Sequence, residues 1–267
     1  MNDIKATNTT MTTTVVHLEE TNSTQEFLIK YLSERNLNNS SVLVSTSRQT
    51  QGIGRQGKNW DFYENSLAFS FTIPPATPIT LSALEVAVST VNFFKYKFKL
   101  SSLKLKWPND ILNAQNQKCG GILISVINST PIQLVIGVGI NLMFDSVRDQ
   151  HLLTNAKDYL TPLGFVFSDG SPNSDKIKNQ LSPEFKKQIP VELYEHIRAN
   201  RLNPKDIVSN WHHLCAHNDK MVNIVTEPDN HFSGIFRGIN EQGEAIIYNQ
   251  QTATSKNFLS GTLLICE

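Results

Sequence analysis

The run QGIGRQGKNW at residues 51–60 sets Gly52, Gly54 and Gly57 in a G-x-G-x-x-G spacing, the pattern that most narrows the folds open to this chain. A genuine dinucleotide fingerprint needs a strand before the glycines, a helix opening at the third, and a βαβ crossover around them. SVLVSTS supplies the strand, but KNWDFYENS follows Gly57, rich in aromatics and turn formers, and leads straight into the alternating strand NSLAFSFTI. With no helix there, the doubly wound reading fails and the glycines belong to a loop. Arg48, Arg55 and Lys58 accompany them. Glycines let backbone N–H groups approach a ligand and cations attract anions, so the segment suits a pliable loop, disordered or variable without ligand, that closes over a phosphorylated molecule.

The flanking pattern alternates strands with helices. VVHLEE reads as a short strand, and STQEFLIKYLSER as a helix capped by Ser23 or Thr24, with Phe27, Leu28, Tyr31 and Leu32 on one face. LSALEVAVSTVNFFK has apolar residues at helical spacing, 81, 84, 88 and 91, and LKLKWPND is a strand stopped by Pro108. GGILISVI and IQLVIGVGI are apolar, β-branched strands joined by an NSTP hairpin. The lysines of KYKFKLSSLKLK alternate with apolar residues, as on a strand with one wet face. Residues 142–200 carry many breakers and yield no firm elements, whereas PKDIVSNWHHLCAH is a helix turning Ile207, Trp211 and Leu214 inward. The short strands after residue 218 have the texture of a small β-barrel. The implied layout is a flexible tail over 1–13, a main domain over 14–218 and a barrel over 219–267.

Composition removes several function classes. Lys and Arg total 24 against 24 Asp and Glu, without the basic excess that phosphate neutralisation asks of a nucleic-acid binder. Three scattered cysteines make no disulfide framework, and HHLCAH lacks zinc spacing. No apolar run reaches the length of a membrane span and the N-terminus has no signal-peptide core, which points to the cytoplasm and to no membrane partner.

Five ordered segments, ETNSTQEFL, QTQGIGRQGKNW, KWPND, KCGGILIS and VIGVGINL, resemble the biotin–protein ligases, densely over 18–142 and again at Trp211 and GIFRGINEQGEAII. The resemblance implies an α+β fold, a mixed β-sheet flanked by helices as in the class II synthetase-like biotin/lipoate ligases, followed by a small C-terminal SH3-like β-barrel. It implies formation of biotinyl-5′-AMP from biotin and ATP with release of pyrophosphate, then transfer to a lysine of a biotin carboxyl carrier protein domain. Biotin-binding positions are then Ser23, Thr24, Gln25, Gln49, Gly52, Ile53, Gly54, Lys118, Gly120 and Gly121. Arg55, Lys58, Trp60, Asn109, Asp110 and Asn141 fall at ATP and adenylate positions, with Lys118 and Arg55 as the catalytic cations. The metal the resemblance implies is magnesium arriving with ATP near Asp110, held by no set of protein side chains alone. Core packing competes with an adenine role for Trp107, and Arg237 is the C-terminal residue to test for ATP or carrier contact. A homodimer stays open.

Three positions depart from the family pattern: Gln25 for asparagine, Ile53 for the first loop arginine, and Ser125 for a glutamate. The missing arginine points to weaker retention of the adenylate. Only about 17 residues precede the first strand, so no helix-turn-helix unit and no nucleic-acid binding are expected. The alternatives are a lipoate–protein ligase and a catalytically silent biotin-binding protein.

Overall fold

The computed structural model describes residues 13–37, 39–127, 130–150, 152, 161–167, 174–227 and 230–266. The expected flexible tail lies outside them except for Thr13. The chain begins with β1 (Thr14–Thr21), α1 (Thr24–Arg35) and β2 (Val42–Gln49). Ser23 caps α1, its hydroxyl accepting from the Glu26 amide at 3.4 Å. The glycine-rich run folds as a hairpin, β3 (Gly52–Ile53) and β4 (Asn59–Trp60), around a single 3-10 turn at Arg55–Gly57, and no α-helix follows Gly57. Then come β5 (Asn65–Ile73), α2 (Ser82–Phe98), β6 (Lys104–Lys106), β7 (Asp110–Leu112), β8 (Lys118–Ile127) and β9 (Gln133–Met143). The remainder is α3 (Ser174–Lys178), α4 (Pro183–Ala199), α5 (Pro204–Leu214), β10 (Met221–Glu227), β11 (Asn230–Ile239), β12 (Ala245–Asn249), β13 (Thr254–Phe258) and β14 (Thr262–Ile265).

Seven strands form a mixed sheet in the order β1-β2-β5-β9-β8-β7-β6, with β1 parallel to β2 and the other pairs antiparallel. Period-two alternation gives the sheet two unlike faces. Leu67, Phe69, Phe71 and Ile73 of β5 and Leu134, Ile136, Val138 and Ile140 of β9 enter a large core with residues of α2, α4 and α5. Each such side chain contributes about 1.5–3 kcal/mol by burial. On the opposite face α1 sets Leu28 and Leu32 against Val42, Val44 and Val135. Because β5 lies inside the sheet and both its faces are covered, Ser66–Ile73 are buried throughout despite their alternating polarity.

The C-terminal strands form a five-stranded antiparallel sheet, β13-β12-β11-β10-β14, whose edge strands are not paired with each other among the described residues. Its Val222, Ile224, Phe236, Ile247 and Leu263 join the same core as Trp107 and Trp211, so apolar packing runs across the chain position near 218. Two sequence readings need correction. Lys95 and Lys97 lie in the last turns of α2, not on a strand, because the strong helical run before them continues to Phe98. Lys106, assigned to a wet face, is only 4% exposed. α4 escaped recognition because Pro190 sits inside it, although Ser182 caps it and Pro183 occupies its first turn. Among the described residues no helix is long and apolar enough to cross a membrane.

Glu85 on α2 is buried and paired with Arg201. It accepts from Arg201 Nε at 2.7 Å, Arg201 Nη2 at 2.9 Å and the Leu202 amide at 2.9 Å, tying α2 to the segment before α5. Arg201→Met strands that carboxylate and should cost about 3 kcal/mol in urea unfolding. His217, fully buried with its ring 4.2 Å from that of Phe236, has no hydrogen-bond partner for either nitrogen among the described residues. Burial, reinforced by Lys106 and Lys220, holds its pKa down at about 3. The unfolded chain binds that proton already near 6.5, so stability falls as pH drops from 6.5 toward 3. Urea unfolding of His217→Phe should show a flatter profile across that window.

Candidate active site

The face of the sheet beside α1 is bare where the other is bulky. In register across three strands, Ala68 of β5 pairs with Gly139 of β9 and Gly139 with Gly121 of β8, while Ser70 pairs with Gly137 and Gly137 with Leu123. These small residues floor a cavity of about 410 Å³. The indole of Trp60, carried in by β4, lies on Gly139, where an added Cβ would sit 2.5 Å from ring carbon Cε2. Gly52 is needed on the same hairpin: a Cβ there would meet Gln49 Nε2 at 2.5 Å.

One end of the cavity is neutral and rich in hydrogen-bonding groups. Gln49 Oε1 accepts from the Thr24 amide at 3.0 Å and lies 3.4 Å from its hydroxyl, which is also 2.9 Å from Ser70 Oγ. Gln25 donates through Nε2 to Ser125 Oγ and to the Val135 carbonyl, both at 3.0 Å. Gln25 Oε1 has no partner among the described residues and faces Gly137. The two departures at 25 and 125 are thus in contact: the longer amide reaches a hydroxyl.

The other end is cationic. Arg55, from the 3-10 turn, donates to Asn109 Oδ1 at 3.2 Å and to the Gly261 carbonyl at 3.4 Å, while Asn109 Nδ2 donates to the Ile122 carbonyl at 2.8 Å. Burial lowers the pKa of Arg55 and Asp110 opposes that. Asp110 at the start of β7 takes Lys118 Nζ at 2.7 Å on one oxygen and faces Lys106 Nζ at 3.7 Å with the other. The Lys118 ammonium also lies 5.5 Å from the Trp60 ring. Its strand is buttressed by the 161–167 segment, through Lys118 N to Pro162 O at 2.7 Å and Gly164 N to Lys118 O at 2.8 Å.

Among the described residues no three His, Cys, Asp or Glu side chains come together as a metal cage. Both oxygens of Asp110 face ammonium groups, so the residues present do not fit a resident metal. The HHLCAH residues are used structurally: His212 Nε2 accepts from the Ile239 amide at 2.8 Å.

Of the residues singled out in the sequence, Ser23, Thr24, Gln25, Gln49, Ile53, Gly54, Arg55, Lys58, Trp60, Asn109, Asp110, Lys118, Gly121 and Asn141 all line this cavity. Gly52 and Gly120 do not line it and pack behind it. Asn141 has both amide ends engaged, accepting from Ser66 Oγ at 3.0 Å and donating to Gly164 O at 3.4 Å. Trp107 is 1% exposed, donates to the Gly243 carbonyl at 3.1 Å, and is both a core residue and part of the cavity lining. Arg237 pairs with Asp219 and does not line the cavity; the C-terminal sheet contributes Gly261, Thr262 and Leu263 instead. Sequence reading missed Lys106, Gly137 and Gly139. The signal for the two glycines was their i, i+2 spacing in GVG, which bares one face of a strand.

A mixed sheet flanked by helices, with this two-ended cavity on one face, defines an α+β fold. Residues 18–141 match the model of the Biotin/lipoate A/B protein ligase family. The human biotin–protein ligase is 27% identical over 110 residues, which are 38% of this chain but 15% of that protein. The chain therefore spans a small part of that relative. The biotin protein ligase of Aquifex aeolicus in complex with biotin and ATP shares the fold, with a TM-score of 0.70 at 21% identity, covering 95% of this chain and 99% of that one. A biotin acetyl coenzyme A carboxylase synthetase from Helicobacter pylori, with bound biotinylated ATP, aligns at a TM-score of 0.61 and 19% identity over 92% and 100% of the two chains.

Gly139→Ala should push Trp60 off the floor and cost about 1–3 kcal/mol of stability. Trp107 lines the same cavity, so the change in tryptophan emission is read in a Trp107→Phe background, where Trp211 is buried in the core; unchanged emission and stability would contradict the packing described.

Proposed function

We propose that this chain is an ATP-dependent biotin–protein ligase. The observation that carries the reading is the two-ended cavity: a neutral pocket of hydroxyl and amide groups opens, over an apolar floor, onto a cationic mouth. Such a space suits a flat polar ring with an acyl chain that ends in a phosphorylated group. Ser23, Thr24, Gln25 and Gln49 would hold the ureido ring, and Arg55, Lys58 and Lys118 would receive the phosphates. Residues 14–218 would form the catalytic unit, with 219–267 supplying one wall.

In the first step a biotin carboxylate oxygen attacks the α-phosphorus of ATP while the bond to the β-phosphate breaks, and pyrophosphate leaves with its electron pair. Charge develops on phosphoryl and carbonyl oxygens, where an ammonium at Lys118 is worth about 3 kcal/mol in a closed site. In the second step the neutral amine of a carrier-domain lysine attacks the acyl carbon, the bond to AMP breaks, AMP departs, and the amine's proton passes to solvent. The chain supplies positioning and charge neutralisation and needs no nucleophile of its own. Cys119 is fully buried with its thiol pKa pushed up by burial, which leaves it a packing role.

The test is ATP-dependent incorporation of labelled biotin into a carboxylase carrier domain, run beside lipoate with its own carrier. Biotin transfer supports the reading; lipoate transfer alone, or neither, overturns it. Lys118→Ala should lower kcat about 100-fold or more. Ile53 stands 38% exposed at the cavity rim, so Ile53→Arg adds a cation there and should slow biotinyl-AMP dissociation about tenfold; equal off-rates would remove Ile53 from adenylate retention.

A further inference from the structure

Gln25 enters the cavity from the first turn of α1, is 6% exposed, and has its amide locked in one sense. Its Nε2 donates to the Val135 carbonyl and to Ser125 Oγ, both at 3.0 Å. A backbone carbonyl can only accept, so the nitrogen must be the end that faces Val135, and both its protons are spent. Ser125 and Val135 are cross-strand partners on β8 and β9, which anchors the amide to a single rung of the sheet. The oxygen Oε1 is thereby turned to Gly137 on the cavity floor, where an added Cβ would sit 2.7 Å from it. It has no partner among the described residues. A buried acceptor left without a donor costs about 1–3 kcal/mol. Gln49 is fixed in the opposite sense, since its Oε1 takes the Thr24 amide at 3.0 Å and leaves its nitrogen as the donor. The neutral end of the cavity therefore offers one fixed acceptor and one fixed donor.

We propose that Ser125, which stands outside the cavity lining, is a positioning residue for ligand choice. It holds Gln25 so that the site turns an acceptor to a ring bearing N–H donors and disfavours a ring with none. The assignment rests on the reading of biotin as substrate, whose ureido ring bears such donors; a dithiolane ring bears none. Without the Ser125 hydroxyl one amide proton loses its acceptor and the amide pivots about its Val135 bond, so the oxygen no longer holds one direction. A hydroxyl that served the sheet alone would affect stability and leave the ranking of ligands unchanged.

The experiment compares the wild-type protein with Ser125→Ala, Ser125→Thr, Gln25→Asn and the double variant Gln25→Asn/Ser125→Asn. Ser125→Thr keeps the hydroxyl. Gln25→Asn draws the amide back by one methylene, and Ser125→Asn carries an acceptor one bond further out, which restores the lost reach. Calorimetry measures binding of biotin and of two isosteric analogues, in which one or the other ureido N–H is replaced by a ring oxygen. Thermal melts and KM values accompany it. In the wild-type protein one analogue should bind about tenfold or more weakly than biotin. Ser125→Ala should weaken biotin binding about tenfold and narrow that gap, raising KM for biotin while KM for ATP holds. Ser125→Thr should keep the wild-type ranking, and the double variant should bind biotin more tightly than Gln25→Asn. Unchanged biotin affinity and ranking in Ser125→Ala overturn the assignment. So does an equal loss for biotin and both analogues with a fallen Tm, which would make Ser125 a structural group. If Ser125→Ala does not fold, a double variant no better than Gln25→Asn overturns it. Wild-type protein that binds biotin with this ranking but never transfers it overturns the ligase reading and leaves the Ser125 assignment intact.

Discussion

The sheet has one face built to be filled and one built to stay empty, and the rest of the molecule depends on that asymmetry. Side chains on β5 and β9 alternate between Leu, Phe and Ile toward the helices and Ala, Ser and Gly toward the cavity. The bulky face carries the stability. The bare face gives up the apolar burial that a second large side chain would add, a sacrifice of order 1 kcal/mol for each missing methylene pair. Its return is a floor low enough for an indole to lie flat on Gly139, leaving room above for a ligand.

Electrostatics follows from where that floor ends. Strands β6, β7 and β8 bring Lys106, Asp110 and Lys118 to one rim because the register pairs Lys106 with Asp110 and Asp110 with Gly121. A single carboxylate between two ammonium groups keeps the rim positive without letting the cations repel one another unchecked. The arrangement is preorganised, so charge arriving on a ligand meets fixed donors rather than donors that must be gathered.

Much of this was legible from residue pattern. The absence of a helix after Gly57, the strands β8 and β9 and the Ser23 cap all follow from local chemistry that tertiary packing does not override, whereas the loop expected to be pliable is an ordered β3–β4 hairpin. Motif residues at strand ends met in one cavity because strand ends are where a sheet gathers distant chain segments. What stayed hidden depends on three-dimensional context. Lys106 and the lysines at 95 and 97 sit in one alternating run, yet a helix end claims two and the sheet interior claims the other. α4 was masked by Pro190. Gln25 and Ser125 each look like an isolated departure, and only the fold shows the amide of one bonded to the hydroxyl of the other.

The guanidinium of Arg55 reaches the carbonyl of Gly261, two groups 206 positions apart in the chain. Gly261, Thr262 and Leu263 form part of the cavity wall, so that wall is unfinished until almost the last residue of this sequence has been added. Without β14 paired to β10, the glycine floor of the seven-stranded sheet would be the base of a basin open on that side.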